Sequence, residues 1–295
     1  MSQAAHVAAL KGLLAAGPDG RRRLYSVPGC WDGLTALLIE QAGFPIAFLS
    51  GGALSMGRYG RPDMGLVTAS EVAEAVAVIR DRIAIPLIVD ADTGFGNALT
   101  LQRALRAFER AGASAVQIED QGFPKRCGHM AGKTVVPLAE SVGRIRAALD
   151  ARQDMLVIAR TDALAVEGLD AAVDRAEAYL EAGADILFIE GPRTMDELER
   201  IAARFAGRVP LVHNLVEGGV TPTADGATLE TLGFAIALHP LLLMHGLVAQ
   251  APGWLETLAR ERTTTSLADQ IVQLSDMNVL LGAPDLIALG KRYDS

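Results

Sequence analysis

Cysteine and positive charge are both scarce in this chain of 295 residues. Its two cysteines, Cys30 and Cys127, cannot build a framework of disulfides, and this scarcity is typical of a protein of the reducing cytoplasm. The 27 Lys and Arg residues face 35 Asp and Glu residues, which gives a formal net charge of -8. This charge has the wrong sign for binding nucleic acid or anionic membranes, so we expect neither partner.

Long hydrophobic runs are also missing. The N-terminal segment has no basic start followed by an apolar stretch, as a signal peptide would have. The most apolar late segment, FAIALHPLLLMHGLVA, is interrupted by Pro240 and two histidines, and it is shorter than the ~18 residues that a membrane-spanning helix needs. The sequence therefore predicts neither a signal peptide nor a membrane span.

Short apolar runs are abundant instead, in a chain that is 50% hydrophobic. Eight of them alternate with segments of helical period, and their nearly continuous apolar character predicts parallel strands buried on both faces. The eight runs are LYSVPG near residue 24, PIAFLS near 45, PLIVDAD near 86, AVQIED near 115, MLVIARTD near 155, DILFIEG near 185, PLVHNL near 210 and FAIALH near 234.

A weak repeat supports this count, because a glycine separates a helical segment from the next strand at four places: Gly43, Gly112, Gly183 and Gly233. Glycine is favoured there because the residue after a helix often takes a left-handed conformation. Eight units without a GxGxxG motif after the first strand favour a closed (β/α)8 barrel over an open sheet. We predict a catalytic barrel with an N-terminal helix over residues 1–262, and a helical tail for oligomer contacts over 263–295.

Acidic residues are concentrated where the predicted strands end, which is where barrels carry their functional groups. Asp90 and Asp92 end the third strand two residues apart, so alternation would direct both carboxylates into the barrel mouth. Glu119 ends the fourth strand, and Asp63 follows the second. Because unpaired carboxylates repel one another when buried, this group predicts a divalent cation, Mg²⁺, with Mn²⁺ as an acceptable substitute. The alternative is that each acid caps a loop or pairs with a basic residue.

Two further features carry both a functional and a structural interpretation. Ser50, Gly51 and Gly52 follow the second strand and expose backbone N–H groups suited to a carboxylate or phosphate, but SGG is also common in turns. Arg160, at the end of the fifth strand, has a planar guanidinium suited to a substrate carboxylate. Its alternative role is to pair with Glu190 or Asp162.

The loop of residues 121–137, QGFPKRCGHMAGKTVVP, is long for a compact barrel and is predicted to be an active-site lid. Cys127 lies in it beside Lys125, Arg126 and His129, whose charges would lower the pKa of its thiol and make it a proton donor or acceptor. Cys30 has no such cations around it and is predicted to be a packed thiol.

Taken in order along the chain, these motifs resemble the isocitrate lyase/phosphoenolpyruvate mutase superfamily. The resemblance covers nearly the whole chain and rests on SGG, RPDMG, DADTGFGN, QIEDQ, PKRCGH, ARTDA, NLVEGG and TP. It implies a (β/α)8 barrel whose last helix is exchanged between subunits, usually in a homotetramer. It also implies Mg²⁺ near Asp90, with Asp92, Glu119 and Asp63 acting largely through water. Substrate-binding positions would be Ser50, Gly51, Gly52, Arg160, Glu190 and Asn214.

Lyases of this family cleave a small anionic 2-hydroxy dicarboxylate or tricarboxylate to a 2-oxo acid and an enolate that must be protonated. The resemblance makes Cys127 the proton donor, with Arg160, His129 and Lys125 as the other catalytic candidates. Phe48 stands where 2-methylisocitrate lyases typically have a tyrosine two residues before SGG. The base for the hydroxyl proton is then a metal-bound water or a carboxylate.

Other departures narrow the substrate class. The chain reads KRCGHMAGK and NLVEGG where 2-methylisocitrate lyases typically read KRCGHRPNK and NITEFG. It is more similar to the branch of 2,3-dimethylmalate lyase, oxaloacetate hydrolase and carboxyphosphonoenolpyruvate mutase. Pro240 stands where oxaloacetate hydrolases use a serine. We expect a lyase for 2,3-dimethylmalate or 2-methylisocitrate type substrates. The alternatives are a phosphonomutase, an oxaloacetate hydrolase or decarboxylase, and an inactive barrel that serves as a binding subunit.

Overall fold

The computed structural model describes residues 3–128, 130–219 and 225–293. Eight parallel strands in this part of the chain form a closed barrel in chain order, with the last strand paired to the first. Each strand lies on one of the predicted apolar runs, so the predicted (β/α)8 barrel is confirmed. The strands are β1 (Tyr25–Cys30), β2 (Ala47–Leu49), β3 (Leu87–Asp90), β4 (Ala115–Glu119), β5 (Leu156–Thr161), β6 (Ile186–Ile189), β7 (Leu211–Asn214) and β8 (Ile236–His239).

Thirteen α-helices occur in the same described residues, with one 3₁₀ turn at Thr265–Leu267. The helices are α1 (Gln3–Leu14), α2 (Gly33–Gln41), α3 (Gly51–Tyr59), α4 (Ala69–Arg82), α5 (Ala98–Ala111), α6 (Leu138–Ala151), α7 (Leu164–Glu167), α8 (Leu169–Glu181), α9 (Met195–Phe205), α10 (Gly226–Leu232), α11 (Leu242–Glu261), α12 (Leu274–Leu280) and α13 (Ala283–Gly290).

The four glycines predicted to end helices all have positive φ, at 83° for Gly43, 111° for Gly112, 104° for Gly183 and 89° for Gly233. Each therefore takes the left-handed backbone conformation that a residue with a Cβ rarely adopts. The chain turns at these points from a helix on the outside of the barrel into the next strand.

The core has two layers, because successive strand side chains point alternately into and out of the barrel. Phe48, Ile88 and Phe188 belong to the interior layer, and Leu10 and Leu14 of α1 pack with it. The outer layer packs the other strand faces against the surrounding helices. Since the interior is filled by side chains and α1 covers one end, the site forms at the carboxyl end of the strands.

The chain divides into two compact units, Met1–Met244 and His245–Ser295. The first unit holds the barrel. The second holds most of α11 together with α12 and α13, and its helices expose large apolar side chains, among them Leu255, Leu274, Val279, Leu286 and Ile287. The boundary predicted near residue 262 falls at the end of α11. No helix among the described residues is both long and apolar enough to cross a membrane.

Candidate active site at the carboxyl ends of the strands

A cavity opens at the carboxyl end of the barrel and has two chemically distinct sides. Its polar side carries charged groups and a thiol, and it includes Asp63, Asp90, Glu119, Lys125, Cys127 and Arg160. Its apolar side comes largely from the ends of β7 and β8 and the residues after them. We call Val216, Leu238, Pro240 and Leu241 the apolar wall.

Asp90 and Asp92 meet at the start of α3, although for a different reason from the one predicted. Strand β3 ends at Asp90, and Asp92 lies beyond it with φ 47°, so strand alternation does not set its direction. Asp90 Oδ1 accepts a hydrogen bond from Asp92 N at 3.1 Å, and Oδ2 accepts one from Gly51 N at 3.3 Å. A Cβ on Gly51 would lie 3.1 Å from Asp90 Oδ2, so glycine allows this close approach.

Lys125 is buried between two carboxylates rather than beside the thiol alone. Its Nζ lies 2.5 Å from Asp63 Oδ1 and 2.7 Å from Asp92 Oδ1. Burial by itself would lower the pKa of Lys125, but Asp92 and Asp63 raise it well above its usual value. Burial raises the pKa of Asp92 to about 7, with Lys125 opposing this effect. The lysine is therefore a fixed positive charge among the predicted metal ligands.

Arg160 makes both of the pairings that its structural interpretation predicted. Its Nε lies 2.9 Å from Asp162 Oδ2, and its Nη2 lies 3.2 Å from Glu190 Oε2. Glu119 Oε2 is 3.4 Å from Nε, and the guanidinium carbon lies 5.1 Å from the centre of the Phe188 ring. Burial raises the pKa of Glu119 well above its usual range, although Arg160 opposes the rise. Arg160 still lines the cavity, so the structural and functional interpretations coexist.

The remaining predicted substrate-binding residues divide between the cavity surface and the layer behind it. Ser50 lines the cavity, and its Oγ also caps α3 by accepting a hydrogen bond from Ala53 N at 3.1 Å. Gly52 and Asn214 line the cavity as well. Glu190 is fully buried behind the surface, where its Oε2 accepts a hydrogen bond from Asn214 Nδ2 at 3.1 Å. Glu190 therefore contacts both Arg160 and Asn214 directly and holds them in place.

The 121–137 loop covers the polar side of the cavity and brings Cys127 to its surface. The backbone N–H of Cys127 donates to Asp63 O at 3.2 Å, which connects this loop to the loop between α3 and α4. Cys30 is fully buried, as predicted, and burial raises the pKa of its thiol. His129 and the TP motif at 221–222 lie outside the described residues.

The donors present fit a hard divalent cation, although no group of three or more His, Cys, Asp or Glu among the described residues forms a ready metal cluster. Six acidic side chains meet three buried cations there, so the acids outnumber the cations by three. The acids are Asp63, Asp90, Asp92, Glu119, Asp162 and Glu190, and the cations are Lys125, Lys133 and Arg160. Glu119 Oε1 and Gln117 Oε1 are buried without a hydrogen-bond partner. Such oxygen donors suit Mg²⁺ or Mn²⁺.

Sequence reasoning missed three features of this site. Gln117 reaches the cavity from the middle of β4, and a polar residue inside an apolar strand was the available signal. Lys133 pairs with Asp162, although a lysine in a polar loop gives no sign that it will be buried. The apolar wall was also missed except at Pro240, because apolar residues at strand ends resemble core residues.

The phosphoenolpyruvate phosphomutase family matches residues 20–251 of the chain. The chain belongs to this family. The resemblance predicted from its motifs is therefore confirmed.

Two curated relatives are lyases. The chain is 39% identical over 274 residues to the 2,3-dimethylmalate lyase of Eubacterium barkeri. The matched region covers 92% of this chain and 94% of that protein. The chain is 38% identical over 265 residues to the 2-methylisocitrate lyase of Aeropyrum pernix, covering 90% of this chain and 85% of that protein.

Two solved structures agree with the fold. A crystal structure of 2,3-dimethylmalate lyase, a member of the PEP mutase/isocitrate lyase superfamily, superposes with a TM-score of 0.91 at 30% identity, covering 98% of this chain and 96% of that one. A phosphonopyruvate hydrolase in complex with oxalate and Mg²⁺ has a TM-score of 0.86 at 32% identity, with both chains covered completely.

Proposed function

We propose that this protein is a carbon–carbon lyase that cleaves an alkyl-substituted 2-hydroxy dicarboxylate of the 2,3-dimethylmalate type. The observation that carries the proposal is that Cys127 on the loop and Arg160 at a strand end reach the same cavity. Such a cleavage needs a thiol that can give a proton to carbon and a cation that can hold a carboxylate, and the cavity contains both. The lyase names of the relatives support the same class of reaction.

The cleavage itself balances without an oxidant. A base takes the proton from the hydroxyl oxygen on C2, that oxygen becomes the carbonyl oxygen of pyruvate, and the C2–C3 bond breaks with its electron pair remaining on C3. The C3 fragment of 2,3-dimethylmalate then takes one proton on carbon and leaves as propanoate. Cys127 would supply that proton, and Arg160 would hold the 2-oxo acid end.

Positive charge near the substrate is the second requirement, because negative charge develops on oxygen as the bond breaks. We propose that Asp90, Asp92, Glu119 and Asp63 hold Mg²⁺, in part through water. When bound, Mg²⁺ would supply a Lewis acid to the substrate oxygens. Lys125 would keep Asp63 and Asp92 oriented, since it bonds to both carboxylates.

The apolar wall favours alkyl substituents over a third carboxylate. Val216, Leu238, Pro240 and Leu241 offer no hydrogen-bond donor from their side chains on this side of the cavity. A methyl group buried there would gain about 0.8 kcal/mol, whereas a carboxylate without a partner would lose more than this. Pro240 also contributes no hydroxyl, which argues against an oxaloacetate hydrolase that depends on a serine at this place.

A substrate panel tests the proposed reaction. Purified protein with Mg²⁺ is incubated with 2,3-dimethylmalate, 2-methylisocitrate, isocitrate, citramalate, oxaloacetate and phosphonopyruvate, and release of 2-oxo acid is followed with a coupled reductase. We expect the highest kcat/KM with 2,3-dimethylmalate. If none of the carbon–carbon substrates releases a 2-oxo acid, the lyase proposal is wrong, and release from phosphonopyruvate alone would support a phosphonate-directed enzyme.

The metal proposal has a separate test that does not need turnover. Binding of oxalate, an analogue of the 2-oxo acid enolate, is measured by calorimetry with and without Mg²⁺. Asp90→Ala should abolish the Mg²⁺-dependent part of oxalate binding, while Asp174→Ala, which removes an exposed carboxylate on α8, should leave it intact. Mg²⁺-dependent binding that survives in Asp90→Ala would refute the assignment of Asp90.

We also propose a homo-oligomer, a homotetramer by resemblance, formed through the 245–295 unit. The exposed apolar side chains of α12 and α13, such as Leu274, Val279 and Leu286, support this proposal, because apolar surface of this kind is typical of an interface. Light scattering of the whole chain tests it, and a monomer at micromolar concentration would overturn it. The low cysteine content supports a cytoplasmic location.

A further inference from the structure

The two ends of the 121–137 loop are held firmly by arginines from the surrounding helices. Arg144 of α6 donates from Nη1 to Gln121 O at 3.1 Å, and Arg175 of α8 donates from Nη1 to Val136 O at 2.9 Å. Between them, Gly122 N donates to Thr134 O at 2.9 Å, so the loop begins and ends in a short antiparallel pairing. Movement of the loop is therefore confined to the part that carries Cys127.

That part is fastened to the barrel by a buried lysine which the proposed reaction does not use. Lys133 Nζ lies 2.7 Å from Asp162 Oδ1 and 2.5 Å from Gly128 O, and its side chain is only 3% exposed. A buried ammonium that bridges a carboxylate and a carbonyl makes stronger bonds than a neutral donor. Lys133 therefore ties the residue next to Cys127 to the residue that follows β5.

Asp162, which binds Lys133, is also hydrogen-bonded to Arg160. Its Oδ2 accepts a hydrogen bond from Arg160 Nε at 2.9 Å, and its Oδ1 accepts one from Arg160 Nη2 at 3.2 Å. The backbone N–H of Asp162 donates to Asp120 Oδ1 at 2.9 Å, which fixes the turn itself. The same carboxylate thus receives the loop lysine on one oxygen and orients the guanidinium with both.

We propose that Lys133 is a positioning residue that couples closure of the 121–137 loop to the orientation of Arg160. When the loop is closed, Lys133 neutralises Asp162 and holds Gly128 over Arg160 and Glu190. When the loop opens, Lys133 withdraws and Asp162 is left to the guanidinium alone. This inference rests on the proposed function for the roles of Cys127 and Arg160, but the Lys133 contacts are independent of the substrate.

The test measures how often the loop opens, through the rate at which iodoacetamide alkylates Cys127 in the substrate-free protein. Lys133→Gln should raise this rate about tenfold or more, because loss of one charge-assisted hydrogen bond shifts the equilibrium between closed and open loop toward the open form by that order. Lys11→Gln, which changes an exposed lysine of α1, should react as the wild type does. Cys30, located by peptide mass analysis, is the internal reference because it is fully buried.

Each outcome decides the proposal. Faster alkylation of Cys127 with Cys30 still protected supports the proposal that Lys133 holds the loop closed locally. Equal acceleration at both cysteines would show general loosening of the fold and would overturn the positioning role, as would a Cys127 rate within about twofold of the wild type. Asp162→Asn and the double variant complete a cycle, in which Lys133→Gln should add little once Asp162 has been changed.

Turnover gives a second measurement where the lyase assay is active. Lys133→Gln should lower kcat/KM because Arg160 is less well oriented without this contact, and the loss need not equal the change in alkylation rate, which reports the open population. Because alkylation needs no substrate, a failed substrate panel would leave the Lys133 result intact, and the two failures can be distinguished.

Discussion

Gly128 offers the sharpest test of the idea that the site works only when the 121–137 loop is closed. A Cβ added to this glycine would lie 2.5 Å from Arg160 Nη2 and 2.8 Å from both Glu190 Cγ and Cδ. Neither neighbour can retreat easily, because Glu190 is fully buried and holds Arg160 and Asn214. Gly128→Ala should therefore displace the loop rather than the barrel.

The size of the effect follows from these distances. Ordinary contacts of a Cβ begin at 3.4 Å, so the loop must move outward by about 0.9 Å to accommodate the new methyl group. A displacement of about 1 Å at a reacting group can lower a rate by roughly 100-fold. Stability should change little, since the loop lies outside the packed layers of the barrel.

Turnover of 2,3-dimethylmalate, thermal unfolding and alkylation of Cys127 are measured together. We expect roughly 100-fold lower turnover, a Tm within about 2 °C of the wild type and faster alkylation of Cys127 in Gly128→Ala. Gly143→Ala is the matched control, because a Cβ added to this glycine of α6 would have no atom within 4 Å, and its turnover should be normal. Turnover in Gly128→Ala within about threefold of the wild type would refute the reasoning.

Three more predictions concern single groups. Cys127→Ser should lower turnover by about 100-fold or more yet leave Mg²⁺-dependent oxalate binding intact, and unchanged turnover would exclude Cys127 as the proton donor. Burial lowers the pKa of His6 to about 4 from 6.5, so the unfolded chain takes up a proton first as the pH falls. Urea unfolding should show a stability loss of about 2 kcal/mol from about pH 7 to about pH 5 that His6→Gln lacks. Glu109 is buried and accepts three backbone N–H groups at 2.8–2.9 Å, so Glu109→Gln should cost about 2 kcal/mol in urea unfolding, and an unchanged midpoint would contradict this.

The barrel could be predicted from the sequence because its signals are local. A parallel strand buried on both faces is a short, nearly continuous apolar run, as in VIAR before Thr161 or ILFI at β6. A glycine such as Gly112 marks the end of a helix through its own backbone conformation. Neither signal depends on knowing which residues become neighbours after folding.

The predicted site residues other than His129, which lies outside the described residues, come together at the barrel mouth, but their partners could not be predicted, because partners are set by the closed barrel. Lys125 was expected beside a thiol, and it lies between Asp63 and Asp92 from two other loops. Asp92 was expected to follow strand alternation. It lies beyond β3, and its own left-handed backbone conformation sets its direction instead. Sequence spacing places a charge at the barrel mouth, whereas the distribution of opposite charges around it is a tertiary property.

Helix α1 has a kinetic consequence for any molecule that uses this cavity. Leu10 and Leu14 pack with the interior layer at the amino end of the barrel, so exchange with solvent takes place at the carboxyl end, past the 121–137 loop. Two fragments made from one substrate must then leave through the same passage one after the other. We expect ordered product release, with the fragment nearer the loop leaving first. When the two fragments condense in the reverse reaction, we expect that fragment to bind last.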